Sequence, residues 1–146
     1  MKFKKKYYYV KYDENEHVYN LYNDRLDSIM EDKLYSVLFY KSDYKYVILK
    51  EEELIGFFSL NIKRRIIQLS SLYILKKYRN DGIATEVIND VIWAIKHNDD
   101  YNIQYITVNS FVESALFFLK RGFNFCKINK KLDYKKKNII LLHKTI

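Results

Sequence analysis

The stretch Leu72, Tyr73, Ile74, Leu75, Lys76, Lys77, Tyr78, Arg79, Asn80, Asp81, Gly82, Ile83, Ala84, Thr85, running on to Ile95, decides how the rest of the chain is read. Its four apolar opening residues read as a strand and Lys76 to Arg79 as a basic loop. From Gly82 the apolar period changes: Ile83, Ala84, Val87, Ile88, Val91, Ile92, Ala94 and Ile95 keep to one face, with Glu86, Asn89 and Asp90 between them. This predicts an amphipathic helix opening near Gly82. A strand that turns through small residues into a helix gathers unpaired N–H groups and the positive dipole end at one point. An anion binds there without a side-chain base, and a phosphate is the natural guest.

Outward from this stretch, the chain is short and apolar enough for one domain. It has 146 residues, 49% of them hydrophobic, which suffices for a real core but not for two. The net charge is +8, with fifteen Tyr and nine Phe, a composition that invites a nucleic-acid reading with Lys for charge and Tyr for stacking. The basic residues gather instead in two segments, Lys2 to Lys6 and Lys127 to Lys137, and follow no aromatic-lined groove. A compositional bias toward Lys, Ile, Asn and Tyr accounts for them better, so nucleic acid is disfavoured as a partner. Cys126 stands alone and His17, His97 and His143 are scattered, which leaves no disulfide and no metal-ligand spacing. No run reaches the roughly 18 apolar residues of a membrane span, and none resembles a signal peptide. A cytoplasmic protein, monomer or homodimer, is expected.

Before the central stretch, Lys2 to Tyr12 reads as a strand, and Val18 to about Phe39 keeps a helical spacing with a break near Asp27 and Ser28. Tyr44 to Leu49, Leu54 to Ile62 and Ile66 to Leu75 read as three antiparallel strands joined by the polar turns Glu51 to Glu53 and Lys63 to Arg65. After the helix, Ile103 to Val108 is strand-like, and the helix between makes the pair a right-handed βαβ crossover. Asn109 and Ser110 follow it, then a short helix from Val112 to Lys120 stopped by Gly122. The strands Phe123 to Ile128 and Asn138 to Lys144 close the chain. The fold class is α/β (α+β): a mixed sheet in the order β-α-α-β-β-β-α-β-α-β-β.

Arg79, x, x, Gly82, x, Ala84 resembles the acyl-coenzyme A signature of the GNAT superfamily of N-acetyltransferases. The resemblance extends along the chain. Leu54, Ile55, Gly56, Phe57 is similar to the family's opening of its third strand, and Val108, Asn109, Ser110 with Phe118, Gly122 and Phe123 is similar to its second motif. It implies two central parallel strands that splay apart, one ending near Leu75 and the other near Val108, with acetyl-CoA (coenzyme A) in the gap. The cofactor would pair with the backbone of Leu72, Tyr73 and Ile74 and set its pyrophosphate on Arg79, Asn80, Asp81, Gly82, Ile83, Ala84 and Thr85. Asn109 and Phe118 would line the other side.

The activity implied is transfer of an acetyl group to a primary amine, small molecule or protein, with the acceptor unidentified. The chain departs from the family pattern twice. The Tyr often used as general acid corresponds to Phe118, and the Glu often found in the fourth strand to Ser71, beside Ser70. Three consequences stay open: proton transfer through water held by Ser70, Ser71 or Asn109; an acid or base from Tyr19, Tyr22, Glu113 or Tyr134; or acyl-CoA binding without catalysis. Ser71 and Asn109 are the candidate catalytic residues. A basic nucleic-acid-binding module is the rival from another class.

Overall fold

The computed structural model describes residues 7–12, 20, 38–98, 102–111, 114–125 and 139–146. The helical stretch expected from Val18 to Phe39 lies outside these residues except at Asn20 and at its end, Leu38–Tyr40, which are helical. Seven strands form one sheet: β1 (Tyr8–Lys11), β2 (Tyr44–Lys50), β3 (Glu53–Lys63), β4 (Ile66–Ile74), β5 (Tyr105–Phe111), β6 (Asn124–Phe125) and β7 (Ile139–Thr145), in the spatial order β1-β2-β3-β4-β5-β7-β6. Helix α1 (Ile83–Lys96) links β4 to β5, and the short α2 (Ala115–Leu119) follows β5. Among the described residues only β4 and β5 pair in parallel, as the intervening helix requires.

β2, β3 and β4 are a local antiparallel meander. The β2–β3 turn is carried by Glu51 and Glu52, whose φ angles of 50° and 66° match the two positive values of a twist-compatible two-residue hairpin. Apolar residues alternate along β3 and sort the core onto the two sheet faces. Ile55, Phe58 and Leu60 meet Val87, Ile88, Val91 and Ile95 of α1, while Leu54 and Phe57 meet Tyr12, Val47 and Phe39 on the opposite face. α1 thus buries the stripe expected of it.

Two differences from the expected boundaries bear on the site. The strand expected to end at Val108 runs on to Phe111, because β7 keeps pairing it through Asn109 (with Leu141), Ser110 (with Ile140) and Phe111 (with Ile139). Asn109 and Ser110 therefore sit on the strand and not after it. The strand expected from Phe123 begins at Asn124, and the Lys127 to Lys137 segment lies outside the described residues. No described helix is long and apolar enough to cross a membrane.

Candidate active site

β4 and β5 are paired from Ile66 with Tyr105 to Leu69 with Val108, and there the ladder stops. Both strands continue, β4 to Ile74 and β5 to Phe111. A bulge marks the parting: Ser59 of β3 faces Ser71 while Leu60 faces Leu69, which leaves Ser70 as an extra residue on β4. Bulges bend a strand and raise its twist, and this one stands one residue beyond the last β4–β5 pair. The result is a cleft of about 710 Å³ between Ser70–Ile74 on one side and Asn109, Ser110, Phe117 and Phe118 on the other. Along it β4 turns an edge that no described strand pairs.

The cleft opens onto the start of α1. A single turn of 3-10 helix at Lys76–Tyr78 reverses the chain after β4, and Asn80 (φ 70°) and Gly82 (φ 77°) take left-handed conformations to aim the helix. The first intrahelical bond runs from the Glu86 N–H to the Gly82 carbonyl, so the amides of Ile83, Ala84 and Thr85 precede it. A Cβ built on Gly82 would meet no atom within 4 Å, but the positive φ strains any other residue there. Arg79 is exposed yet held: its Nε donates to the Ile74 carbonyl at 2.8 Å, and its guanidinium lies 5.0 Å from the Tyr73 ring centroid. Tyr78 anchors the loop from beneath through its hydroxyl, which donates to Glu53.

The opposite wall comes from β5 and α2. Phe118 is buried, edge-on to Phe117 and Phe123, and serves core and cleft at once. Arg121 reaches back to α1. Its Nε donates to Thr85 Oγ1 and its Nη1 to the Phe117 carbonyl, both at 2.7 Å, and its guanidinium stacks 3.7 Å from the Phe117 ring. A guanidinium has five N–H donors, so others remain at the cleft mouth. Among the described residues the charged side chains lining the cleft are Arg79 and Arg121, both cationic.

All but one of the residues expected at the site line this cleft. Asp81 is the exception: it turns to a smaller hollow of about 370 Å³ behind the loop, with Tyr7, Glu53 and Glu86. There the Tyr7 hydroxyl donates to Glu86 Oε2 at 2.5 Å, and burial, then that bond, push its pKa up to about 12. Tyr9 donates likewise to Asp90 and is pushed up too, first by burial. The sequence reading missed Tyr78, Ser114, Phe117 and Arg121, which the fold brings to the cleft. Arg121 carried no signal, since only the return of α2 onto α1 sets it beside Thr85. Tyr19, Tyr22, Glu113 and Tyr134 lie outside the described residues.

A family model described as an acetyltransferase (GNAT) domain matches residues 9–139. The chain belongs to the GNAT family. The GNAT fold is shared with a GNAT family acetyltransferase from Elizabethkingia anophelis with acetyl-CoA bound, at a TM-score of 0.70 and 16% identity over 98% of this chain and 100% of that one. Tetrahymena GCN5 superposes at a TM-score of 0.73 with 18% identity over 97% and 96% of the two chains. A Bacillus subtilis acetyltransferase in complex with CoA gives 0.67, 13%, 97% and 99% in the same order. Comparison with curated protein sequences gave no match. Phe118 and Ser71 of this GNAT protein both line the cleft.

Proposed function

We propose that this single-domain protein, spanning residues 1–146, transfers an acetyl group from acetyl-CoA to a primary amine. The observation that carries the reading is the parting of β4 and β5 after Leu69 and Val108 onto the N-terminus of α1, in a cleft of 710 Å³. Backbone groups of Leu72, Tyr73 and Ile74 hold the pantetheine arm as a neighbouring strand would. The amides of Ile83, Ala84 and Thr85, with Asn80 and Gly82 shaping their approach, hold the pyrophosphate. Arg79 and Arg121 add positive charge at the same end.

Acetyl-CoA supplies a thioester whose C–S bond breaks as a C–N bond forms to the amine, the proton lost by nitrogen ending on sulfur. The chain's part is positional and electrostatic. A backbone N–H at the start of the cleft edge of β4 meets the oxygen on which negative charge develops. Asn109 faces the same space from β5. Phe118 supplies a wall and no proton, so sulfur is protonated by water.

Calorimetry with coenzyme A tests the reading. Binding is expected in the native chain and lost in Gly82→Val, which sets a branched side chain at the helix entry where φ is 77°. No heat at millimolar concentrations would sink it. A second reading, acyl-CoA binding without turnover, is favoured by the phenyl ring at position 118, and it predicts coenzyme A binding with no thiol release for any amine.

A further inference from the structure

Helix α1 begins without a side-chain cap. Gly82 stands at its N-cap position in a left-handed conformation, φ 77°, and has no side chain with which to hold the amides that follow. A cap ties down the first turn of a helix, and a helix start that lacks one frays more readily. Here that turn is also the one whose residues, Ile83, Ala84 and Thr85, line the cleft. A hold on it comes from the opposite lip. Arg121 Nε donates to Oγ1 of Thr85, the third residue of the helix, at 2.7 Å.

The guanidinium is itself held in place. Its Nη1 donates to the Phe117 carbonyl at 2.7 Å, and its Cζ lies 3.7 Å from the Phe117 ring centroid. At the backbone, the Arg121 N–H donates to the Phe118 carbonyl at 2.9 Å, and the Arg121 carbonyl accepts from Lys144 Nζ at 2.9 Å. Arg121 is thus rooted in α2 and tied to β7, both on the β5 side of the cleft, whereas Thr85 follows β4. The side chain crosses from one half of the split sheet to the other. Charge alone does not explain that position, because a cation beside the positive end of a helix opposes its dipole. Directed bonds keep it there, and an anion seated on the amides would attract the helix end and the guanidinium alike.

We infer that Arg121 is a positioning residue that braces the uncapped start of α1 from across the cleft, so that the hold on coenzyme A depends on the Arg121–Thr85 bond and not on charge alone. The brace needs both reach and direction. Nε meets Thr85 while Nη1 and the Phe117 ring fix the plane of the group, a division that the point charge of a lysine does not reproduce. The inference rests on the acetyltransferase reading for its ligand, whereas the brace is a property of the ligand-free chain.

Two measurements test it, and the first needs no ligand. Hydrogen exchange is followed at the Glu86 N–H, which closes the first turn onto the Gly82 carbonyl at 3.1 Å. Thr85→Val, equal in shape but without the oxygen, and Arg121→Lys, equal in charge, are each expected to speed that exchange about tenfold, the size of a hydrogen bond with one charged partner. Thr85→Ser, which keeps the hydroxyl, is expected to keep the slow exchange. The second measurement is calorimetry and stopped-flow release with coenzyme A. Each of the two disruptive variants is expected to bind about tenfold more weakly, through faster release, and the double variant no more weakly than either. Native exchange in both variants, native affinity in Arg121→Lys, or losses that multiply to about a hundredfold in the double variant overturns the brace. A lower Tm with exchange and affinity unchanged overturns it as well. If Arg121→Lys does not fold, exchange in Thr85→Val against Thr85→Ser decides. A native chain that binds no coenzyme A fails the acetyltransferase reading, and the exchange measurement then still judges the brace.

Discussion

β4 is two strands in one. From Ile66 to Leu69 it is paired on both sides, with Ile67 and Leu69 in the core beneath α1. From Ser70 to Ile74 it is paired on the β3 side, and its other edge faces the cleft. One extra residue at Ser70 separates the two. The difference teaches that a strand becomes a site when its backbone bonding is left half complete, and that stability and function can occupy adjacent turns of the same pleat.

That contrast can be broken most severely at Gly56. A Cβ there would lie 2.1 Å from the Tyr73 carbonyl oxygen, backbone against backbone, so β3 could accept it only by displacing the upper half of β4. Gly56→Ala is expected to cost about 3 kcal/mol in urea unfolding and to abolish coenzyme A binding. Leu69→Ala empties a core position in the lower half and is expected to cost about 2–3 kcal/mol while the folded fraction still binds coenzyme A. Equal loss of affinity in the two variants would erase the distinction between the halves.

Phe118→Tyr sharpens the contrast from across the cleft. It adds a hydroxyl where the departing sulfur needs a proton, and a rise in kcat approaching a hundredfold is expected, with coenzyme A affinity kept. A lower Tm with no gain in turnover would show that the ring belongs to the core with Phe123 and has no part in the chemistry. The smallest effect is expected behind the loop, at Tyr7. Its folded pKa of about 12 stands above the ordinary 10.0, so its contribution is complete below pH 10 and fades as the pH rises through 12. Stability measured across that window should fall less in Tyr7→Phe, which is expected to cost about 1 kcal/mol at neutral pH.

Much of this was legible in the sequence because it is written in periods. The change from a continuous apolar run to helical spacing at Gly82 marks the β4–loop–α1 corner, and Gly82 takes the positive φ that a tight entry needs. What depends on pairing was not legible. Asn109 and Ser110 read as lying beyond the strand because nothing in their own sequence shows that β7 continues beside them. The bulge is equally silent: two serines in a strand read as alternating faces, and only the register with β3 puts both on one. Asp81 followed the motif into the expected site, but the turn at Asn80 rotates it to the rear. Arg121 depends on a long-range contact with Thr85 that no local pattern encodes.

The four rungs from Ile66 with Tyr105 to Leu69 with Val108 have a mechanical side. Among the described residues they are the whole ladder between two antiparallel halves of the sheet, β1 to β4 on one hand and β5, β7 and β6 on the other. This seam is short, and α1 is laid across one face of it like a splint, with Val87, Ile88, Val91 and Ile95 packed against Leu69, Ile106, Val108 and Leu142. Whatever fills the gap above Leu69 and bonds to both lips extends the seam. A molecule bound there is a removable cross-link, and the force that parts the two halves of the sheet must first break its hold on Ser70–Ile74.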